Sequence, residues 1–389
     1  MDETEASGGE PLSVYVHVPY CAARCGYCDF NTYTAAELGA VPGAGRDAYL
    51  AAVRSELDLA VRTLSARAGG LPVVSTVFVG GGTPTVLAAP ELAGIVDAIR
   101  ERFAVAPGAE ITTEANPETL TPAYVAALAR AGFTRLSLGM QSAVERVLAT
   151  LDRRHTPGRV AQVVAWARAA GFADVSVDLI YASPGESAAD WRASLDAAVA
   201  LGVDHVSAYS LTIEPGTRLA ARVGRGELVP AGDAVQADDY EVADDVLTRA
   251  GFRWYEISNW AKPGHECRHN LAYWRSGNWW GVGPGAHSHV DGVRWWNVKH
   301  PREYAARLAA GTSPAEGHEA VDAAARHMER VLLELRLADG LDISVLTPSE
   351  RGRLPEFVQR GWAHLDDDRV RLTVRGRLMA DAMVRDLLD

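Results

Sequence analysis

Cysteine is scarce in this chain, with four residues in 389. So few thiols exclude the disulfide framework of a small secreted domain, and closely spaced reduced thiols fit a cytoplasmic location. Long apolar runs are also missing. No stretch approaches the ~20 uninterrupted apolar residues that cross a bilayer, so at most peripheral membrane association is expected. The first ten residues, MDETEASGGE, lack the basic start and apolar core of a secretory signal. Positive charge is in deficit. Lys and Arg number 38 against 50 Asp and Glu, a net charge of −12, which argues against nucleic acid as a partner and against an anionic membrane surface. There is no low-complexity tract and no internal repeat beyond an alternation of strand and helix. With 48% hydrophobic and 23% charged residues, the chain reads as a soluble globular protein with room for one large α/β domain and a smaller one.

Three of the four cysteines fall within eight residues, Cys21-Ala-Ala-Arg-Cys25-Gly-Tyr-Cys28, directly after the strand-like run Ser13 to Val18. Three thiolates are one ligand short of a closed tetrahedral zinc site or an ordinary four-iron cluster. A zinc knuckle would need a fourth ligand, with His17 or the distant Cys267 as candidates. A cubane held at three corners would instead leave one iron open.

Through residue 215, strand-like and helix-like segments alternate. Strands are expected at Ser13–Val18, Val73–Val79, Glu110–Glu114, Arg135–Leu138, Asp174–Leu179 and His205–Ser210, with helical runs such as Asp47–Leu64, Glu91–Phe103, Pro122–Ala131, Arg159–Ala170 and Ala188–Leu201 between them. Six βα units with right-handed crossovers make a parallel sheet curled into a partial barrel. The strands alternate in polarity. Val14, Val16 and Val18 oppose Tyr15 and His17, and Val175, Val177 and Leu179 oppose Ser176 and Asp178. Polar faces converging in the lumen suit a polar ligand. A linker and an acidic helix, Asp233–Arg249, follow. Seven of the ten tryptophans then lie between Trp254 and Trp296. Toward the end, Ala323–Leu335 and Leu354–Arg360 read as helices. Trp362–Leu365 and Val370–Val374 flank an acidic turn, and Gly376–Leu388 reads as a last helix. That is the grammar of a winged-helix-like module, but the acidic turn argues against phosphate contact. The expected organisation is a core over residues 9–250, an aromatic-rich segment over 251–300 and a C-terminal domain over 301–389.

Polar residues sit where the strands end. Gly80-Gly81-Gly82-Thr83-Pro84 follows the second strand, and its N–H groups could hold a carboxylate. Glu114 begins Glu-Ala-Asn-Pro, Gln141 ends Gly-Met-Gln-Ser, and Arg153 could pair with a carboxylate or a surface acid. Cys267 reads as a plain buried thiol and is no CxxCH attachment site.

The cysteine spacing and the glycine loop together resemble the radical S-adenosylmethionine (SAM) superfamily. The resemblance implies an α/β fold, a partial (β/α)6 barrel, with Cys21, Cys25 and Cys28 on a [4Fe-4S] cluster and SAM on the open iron. It implies Tyr15, Tyr27, Gly81, Gly82, Thr83, Glu114, Gln141, Arg153 and Asp178 as SAM contacts. Val-Tyr-Val-His-Val-Pro-Tyr-Cys, Gly-Gly-Gly-Thr-Pro-Thr, Glu-Ala-Asn-Pro, Ser-Leu-Gly-Met-Gln-Ser and Val-Asp-Leu-Ile-Tyr are similar to the oxygen-independent coproporphyrinogen III oxidase-like family, over nearly the whole chain. True coproporphyrinogen oxidases of that family carry a fourth cysteine two positions after the third, where this chain has Phe30. They also carry a longer segment ahead of the motif. Both departures count against oxidative decarboxylation, which stays as the alternative activity. The other branch consists of heme chaperones marked by HNxxYW, matched here by His269-Asn270-Leu-Ala-Tyr273-Trp274. Histidine ligates heme iron, and Tyr and Trp give flat walls. The stretch from Trp279 and Trp280 to His287 matches the same family. The resemblance therefore implies heme contact at His269, Asn270, Tyr273 and Trp274, a respiratory heme protein as acceptor, and a homodimer. Two further rivals are a radical SAM enzyme acting on another flat substrate and a heme-sensing winged-helix regulator.

Overall fold

The computed structural model describes residues 10–388 except 40, 68, 154 and 367. Residue 9, where the core was expected to begin, and Asp367 of the acidic turn lie outside the described residues. The six expected strands form as β1 Leu12–Val18, β2 Val74–Gly81, β3 Val105–Ala115, β4 Arg135–Gln141, β5 Asp174–Tyr181 and β6 His205–Ser210. The helices are α1 Arg46–Ser65, α2 Ala89–Arg100, α3 Pro122–Arg130, α4 Arg159–Ala170, α5 Ala188–Ala200 and α6 Asp233–Arg249. Side-chain caps set some of their starts, Thr121 accepting from Tyr124 N and Ser187 from Asp190 N.

Beyond them come β7 Arg253–Glu256, β8 Asn259–Ala261, α7 Arg268–Trp274, β9 Asn278–Val282, β10 His287–Val290, β11 Val293–Asn297, α8 Pro301–Ala309 and β12 Ala315–Ala320. The last elements are α9 Ala323–Glu334, β13 Leu341–Asp342, α10 Leu354–Gln359, β14 Ala363–Asp366, β15 Arg369–Leu372 and α11 Ala380–Leu388. The fold class is α/β, with the parallel βα units of the partial barrel and a smaller C-terminal helix-and-wing module.

Two compact units do not follow the linear segments 9–250, 251–300 and 301–389. The first comprises Met1–Gly139, Thr156–Ala173 and Gly277–Ala320, and the second Met140–His155, Asp174–Ser276 and Val321–Asp389. In the first, the strand order is β12-β11-β10-β9-β1-β2-β3-β4. β1 lies parallel to both β2 and β9, and β9 to β12 continue as an antiparallel ladder. The later part of the aromatic-rich segment, from Asn278 to Asn297, therefore joins this sheet. Leu12, Val14, Val16 and Val18 are fully buried, which is what β-branched alternation on a covered strand gives.

In the second unit the order is β5-β6-β8-β7, with β5 and β6 parallel and the last two strands antiparallel. Trp191 Nε1 donates to Asp239 O and fastens α5 to α6. The C-terminal module has a three-stranded sheet, β13-β15-β14, where two strands were expected. The extra strand is only two residues, too short to show a period. Val331, Leu341, Phe357, Val370 and Met383 form its core. The expected final helix, Gly376–Leu388, is broken at Met379.

Candidate functional site

In the first unit, β1 delivers the chain into the cysteine loop. Tyr20–Cys21 pairs in parallel with Tyr33–Thr34, closing the loop at its base, and Tyr33 N donates to Pro19 O at 2.7 Å. All four cysteines of the chain are thiols rather than disulfides, and the three in the loop are half-buried. Burial raises the pKa of Cys21 and of Cys28, and neighbouring sulfurs of the trio add to it. Two hydroxyls oppose that rise. Thr83 Oγ1 donates to Cys21 Sγ at 3.7 Å, and Thr32 lowers the pKa of both Cys21 and Cys28. Thr32 Oγ1 is buried and makes no bond to nitrogen or oxygen among the described residues, as suits a hydroxyl facing sulfur. Thiols clustered with hydroxyl donors and no fourth cysteine fit a cluster with an open iron. Phe30, where a fourth ligand would stand, is 61% exposed.

The glycine loop is built against this base. Gly81 has φ +105°, and a Cβ there would lie 2.6 Å from the His17 ring; one on Gly82 would lie 2.5 Å from Tyr20 O. One of the loop's N–H groups holds a carboxylate of the protein itself, and the next two are bonded to backbone carbonyls. Gly81 N donates to Glu114 Oε2 at 3.1 Å, Gly82 N to Val18 O and Thr83 N to Tyr20 O, both at 2.8 Å. Glu114 thereby sets a carboxylate against the loop, an acceptor of the kind that suits an ammonium group.

Tyr15 OH donates to His17 Nδ1 at 3.0 Å, and His17 Nε2 donates to Asn31 O at 2.9 Å. The acceptor at Nε2 fixes the proton there, and burial lowers the pKa of His17, so the ring is neutral. His17 is thus a brace under the loop and no fourth metal ligand. Asn31 Nδ2 in turn holds Pro284 O and Lys299 O at 3.0 and 2.9 Å. Tyr27 stands half-buried between Cys25 and Cys28.

Glu56 was not anticipated, although a Glu among Val53, Leu57 and Ala60 on the apolar face of α1 is a signal. It accepts from Tyr304 OH at 2.5 Å, Gly283 N at 2.8 Å and Asn297 Nδ2 at 2.7 Å. Full burial outweighs those bonds and pushes its pKa up to about 7. A Cβ on Gly283 would stand 2.5 Å from His17 O, so the acid backs the segment that packs on His17.

The remaining expected SAM residues lie in the second unit. Gln141, 9% exposed, ends β4 with φ +66°, a left-handed position unusual for a non-glycine and typical of strained sites. Arg153 Nε donates to His155 Nε2 at 2.9 Å, so its neighbour is a histidine. Asp178 is half-buried on β5.

The HNxxYW segment is α7, turned inward. His269 is 2% exposed, its Nε2 is 2.9 Å from Tyr273 OH, and their rings meet edge to face at 4.9 Å. Burial holds the His269 pKa down at about 3, so the ring is neutral. Asn270 Nδ2 donates to Glu256 Oε1 at 2.8 Å and to Tyr255 OH at 3.3 Å. Trp274 also bonds Glu256, whose pKa burial raises. Cys267 is buried at the N-cap of this helix.

The Radical SAM superfamily model matches residues 15–198. The heme chaperone HemW of Mycobacterium tuberculosis (strain ATCC 25618 / H37Rv) is 54% identical over 380 residues, covering 98% of this chain and 95% of that protein. HemW of Escherichia coli (strain K12) is 38% identical over 299 residues, 76% and 75% of the two chains. Among solved structures, the radical SAM enzyme coproporphyrinogen III oxidase (HemN) from Escherichia coli superposes with a TM-score of 0.82 at 22% identity, covering 99% of this chain and 91% of that one. That last likeness shows the fold alone. At this identity over nearly its full length, the chain belongs to the HemW heme-chaperone family of the radical SAM superfamily.

Proposed function

We propose that this chain is a heme chaperone, which takes up heme and passes it to an acceptor, a respiratory heme protein. The observation that carries the reading is the 54% identity to a heme chaperone over 98% of the chain. Phe30 supports it, since it removes the fourth cysteine expected of a coproporphyrinogen oxidase.

Cys21, Cys25 and Cys28 would hold a [4Fe-4S] cluster, with Thr32 and Thr83 tuning its sulfurs. Gly81, Gly82, Thr83 and Glu114 would receive the ammonium of SAM. Tyr15 and Tyr27 would wall the cofactor. A bound cluster and SAM supply a low-potential electron and a cleavable sulfonium C–S bond. His269, Asn270, Tyr273 and Trp274 are proposed as heme contacts reached once Tyr273 releases His269 Nε2.

A cytoplasmic homodimer, peripheral at most to a membrane and independent of nucleic acid, completes the proposal. No helix among the described residues is long and apolar enough to cross a membrane.

The test is hemin titration of anaerobically reconstituted protein, then mixing with an apo respiratory heme protein. Saturable uptake and transfer support the chaperone. Conversion of coproporphyrinogen to protoporphyrinogen by the same preparation, with SAM and reductant, would overturn it.

A further inference from the structure

His269, the histidine of the HNxxYW helix, is buried and bonded to Tyr273. A second histidine in the aromatic-rich region is in the opposite condition. His287 opens β10 and is exposed. Its Nδ1 lies 3.2 Å from Gly285 O. A carbonyl only accepts, so Nδ1 carries the proton and the lone pair sits on Nε2. Among the described residues Nε2 has no partner. Metal-binding histidines are prepared in this way, by an N–H···O=C bond that fixes tautomer and ring direction.

The surroundings are flat and aromatic. His287 pairs with Trp296 across β10 and β11, and Trp279 pairs with His289 across β9 and β10. Directly opposed residues share a face, and alternation puts His287 and His289 together. Trp279, His287, His289 and Trp296 therefore line one side of this sheet. Trp296 stacks with His287 at 6.1 Å and 29°, and Trp279 Nε1 donates to His287 O at 3.0 Å. Both tryptophans are half-exposed. Two glycines keep the face level. A Cβ on Gly281 would stand 2.1 Å from His287 O, and one on Gly317 would stand 2.4 Å from the Trp296 indole. Arg294 pairs with His289 on the same face and forms an ion pair with Glu319 at 2.9 Å, where a propionate could compete with that acid.

We propose that this face is a heme-binding surface in which His287 Nε2 ligates the iron while Trp296, stacked on the imidazole, buttresses that ring and meets the macrocycle edge-on. Ligation donates the imidazole lone pair to iron and displaces a water or other weak ligand, with no change of oxidation state. The site rests on the chaperone reading for its ligand, and it lies outside the HNxxYW motif.

The experiment is hemin titration of the full, reconstituted chain and of His287→Ala and His269→Ala, read by Soret absorbance and electron paramagnetic resonance. His287→Ala is expected to weaken hemin binding about tenfold or more and to change the spin-state signature, while cluster absorbance stays as in the parent. Millimolar imidazole should restore the parent spectrum to His287→Ala. Trp296→Ala should weaken binding while keeping the histidine signature. If the parent binds hemin and His287→Ala matches it in affinity and spectrum, this site is overturned and the chaperone reading stands. A parent chain that takes up no hemin overturns both.

Discussion

Glu56 makes the sharpest test of the buried chemistry. Its carboxyl is fully buried, accepts three bonds, and has a pKa of about 7. The unfolded chain releases that proton near pH 4.5, whereas the folded chain keeps it until about 7. Between these values the unfolded state has lost a proton the folded state still binds. Stability from this group is therefore fully present below pH 4.5, falls as pH rises, and levels off above 7. A tenfold difference in proton affinity between the two states is worth about 1.4 kcal/mol, so the fall between pH 5 and pH 8 is on the order of 2–3 kcal/mol. Glu56→Gln keeps the acceptor for Tyr304 or Gly283 but cannot ionise. Urea unfolding of both proteins without metal, followed by tryptophan fluorescence, should show the variant gaining on the parent by about that amount from pH 5 to pH 8. Parallel stability curves would refute the reasoning, because they would mean Glu56 ionises alike in both states.

Three further outcomes follow from other contacts. Gly82→Ala should destabilise by about 1–3 kcal/mol in the same assay, because its Cβ would meet the Tyr20 carbonyl at 2.5 Å. It should also weaken SAM binding measured by calorimetry. Cys28→Ser should reconstitute little or no cubane by absorbance and iron analysis, since two thiolates remain. Tyr273→Phe removes the bond that occupies His269 Nε2. If α7 contacts heme, hemin should bind that variant up to about fivefold more tightly, the equivalent of one net hydrogen bond of about 1 kcal/mol.

Much of the barrel could be read directly. β5 begins at Asp174, β6 spans His205–Ser210, and α4 and α6 begin and end where periodicity places them, because long βα units carry strong, separate periods. The cysteine loop stood out because three thiols at fixed spacing have few alternative uses. The 278–320 region was not. Its strands are four to six residues long, and what makes them a sheet is pairing with β1, 266 residues away at Leu12↔Asn278, which no local pattern reports. The glycine loop follows its strand as the spacing places it, but that the carboxylate on the Gly81 N–H belongs to Glu114 of another strand is a tertiary fact. In α7 the residue types suggested a ligand, while burial and the Tyr273 bond are tertiary facts. Glu56 and His287 were missed as site residues because their partners, Tyr304 and Gly283 for one and the backbone turn at Gly285 for the other, are set by the fold.

Anaerobic reconstitution with iron and sulfide, followed by hemin titration under absorbance, tests the central claim most directly. The account predicts about four iron and four sulfide per chain, held by three cysteines, and a saturable Soret band on the same protein. Protein that binds zinc without sulfide, or that carries its cluster yet develops no Soret band, would contradict it.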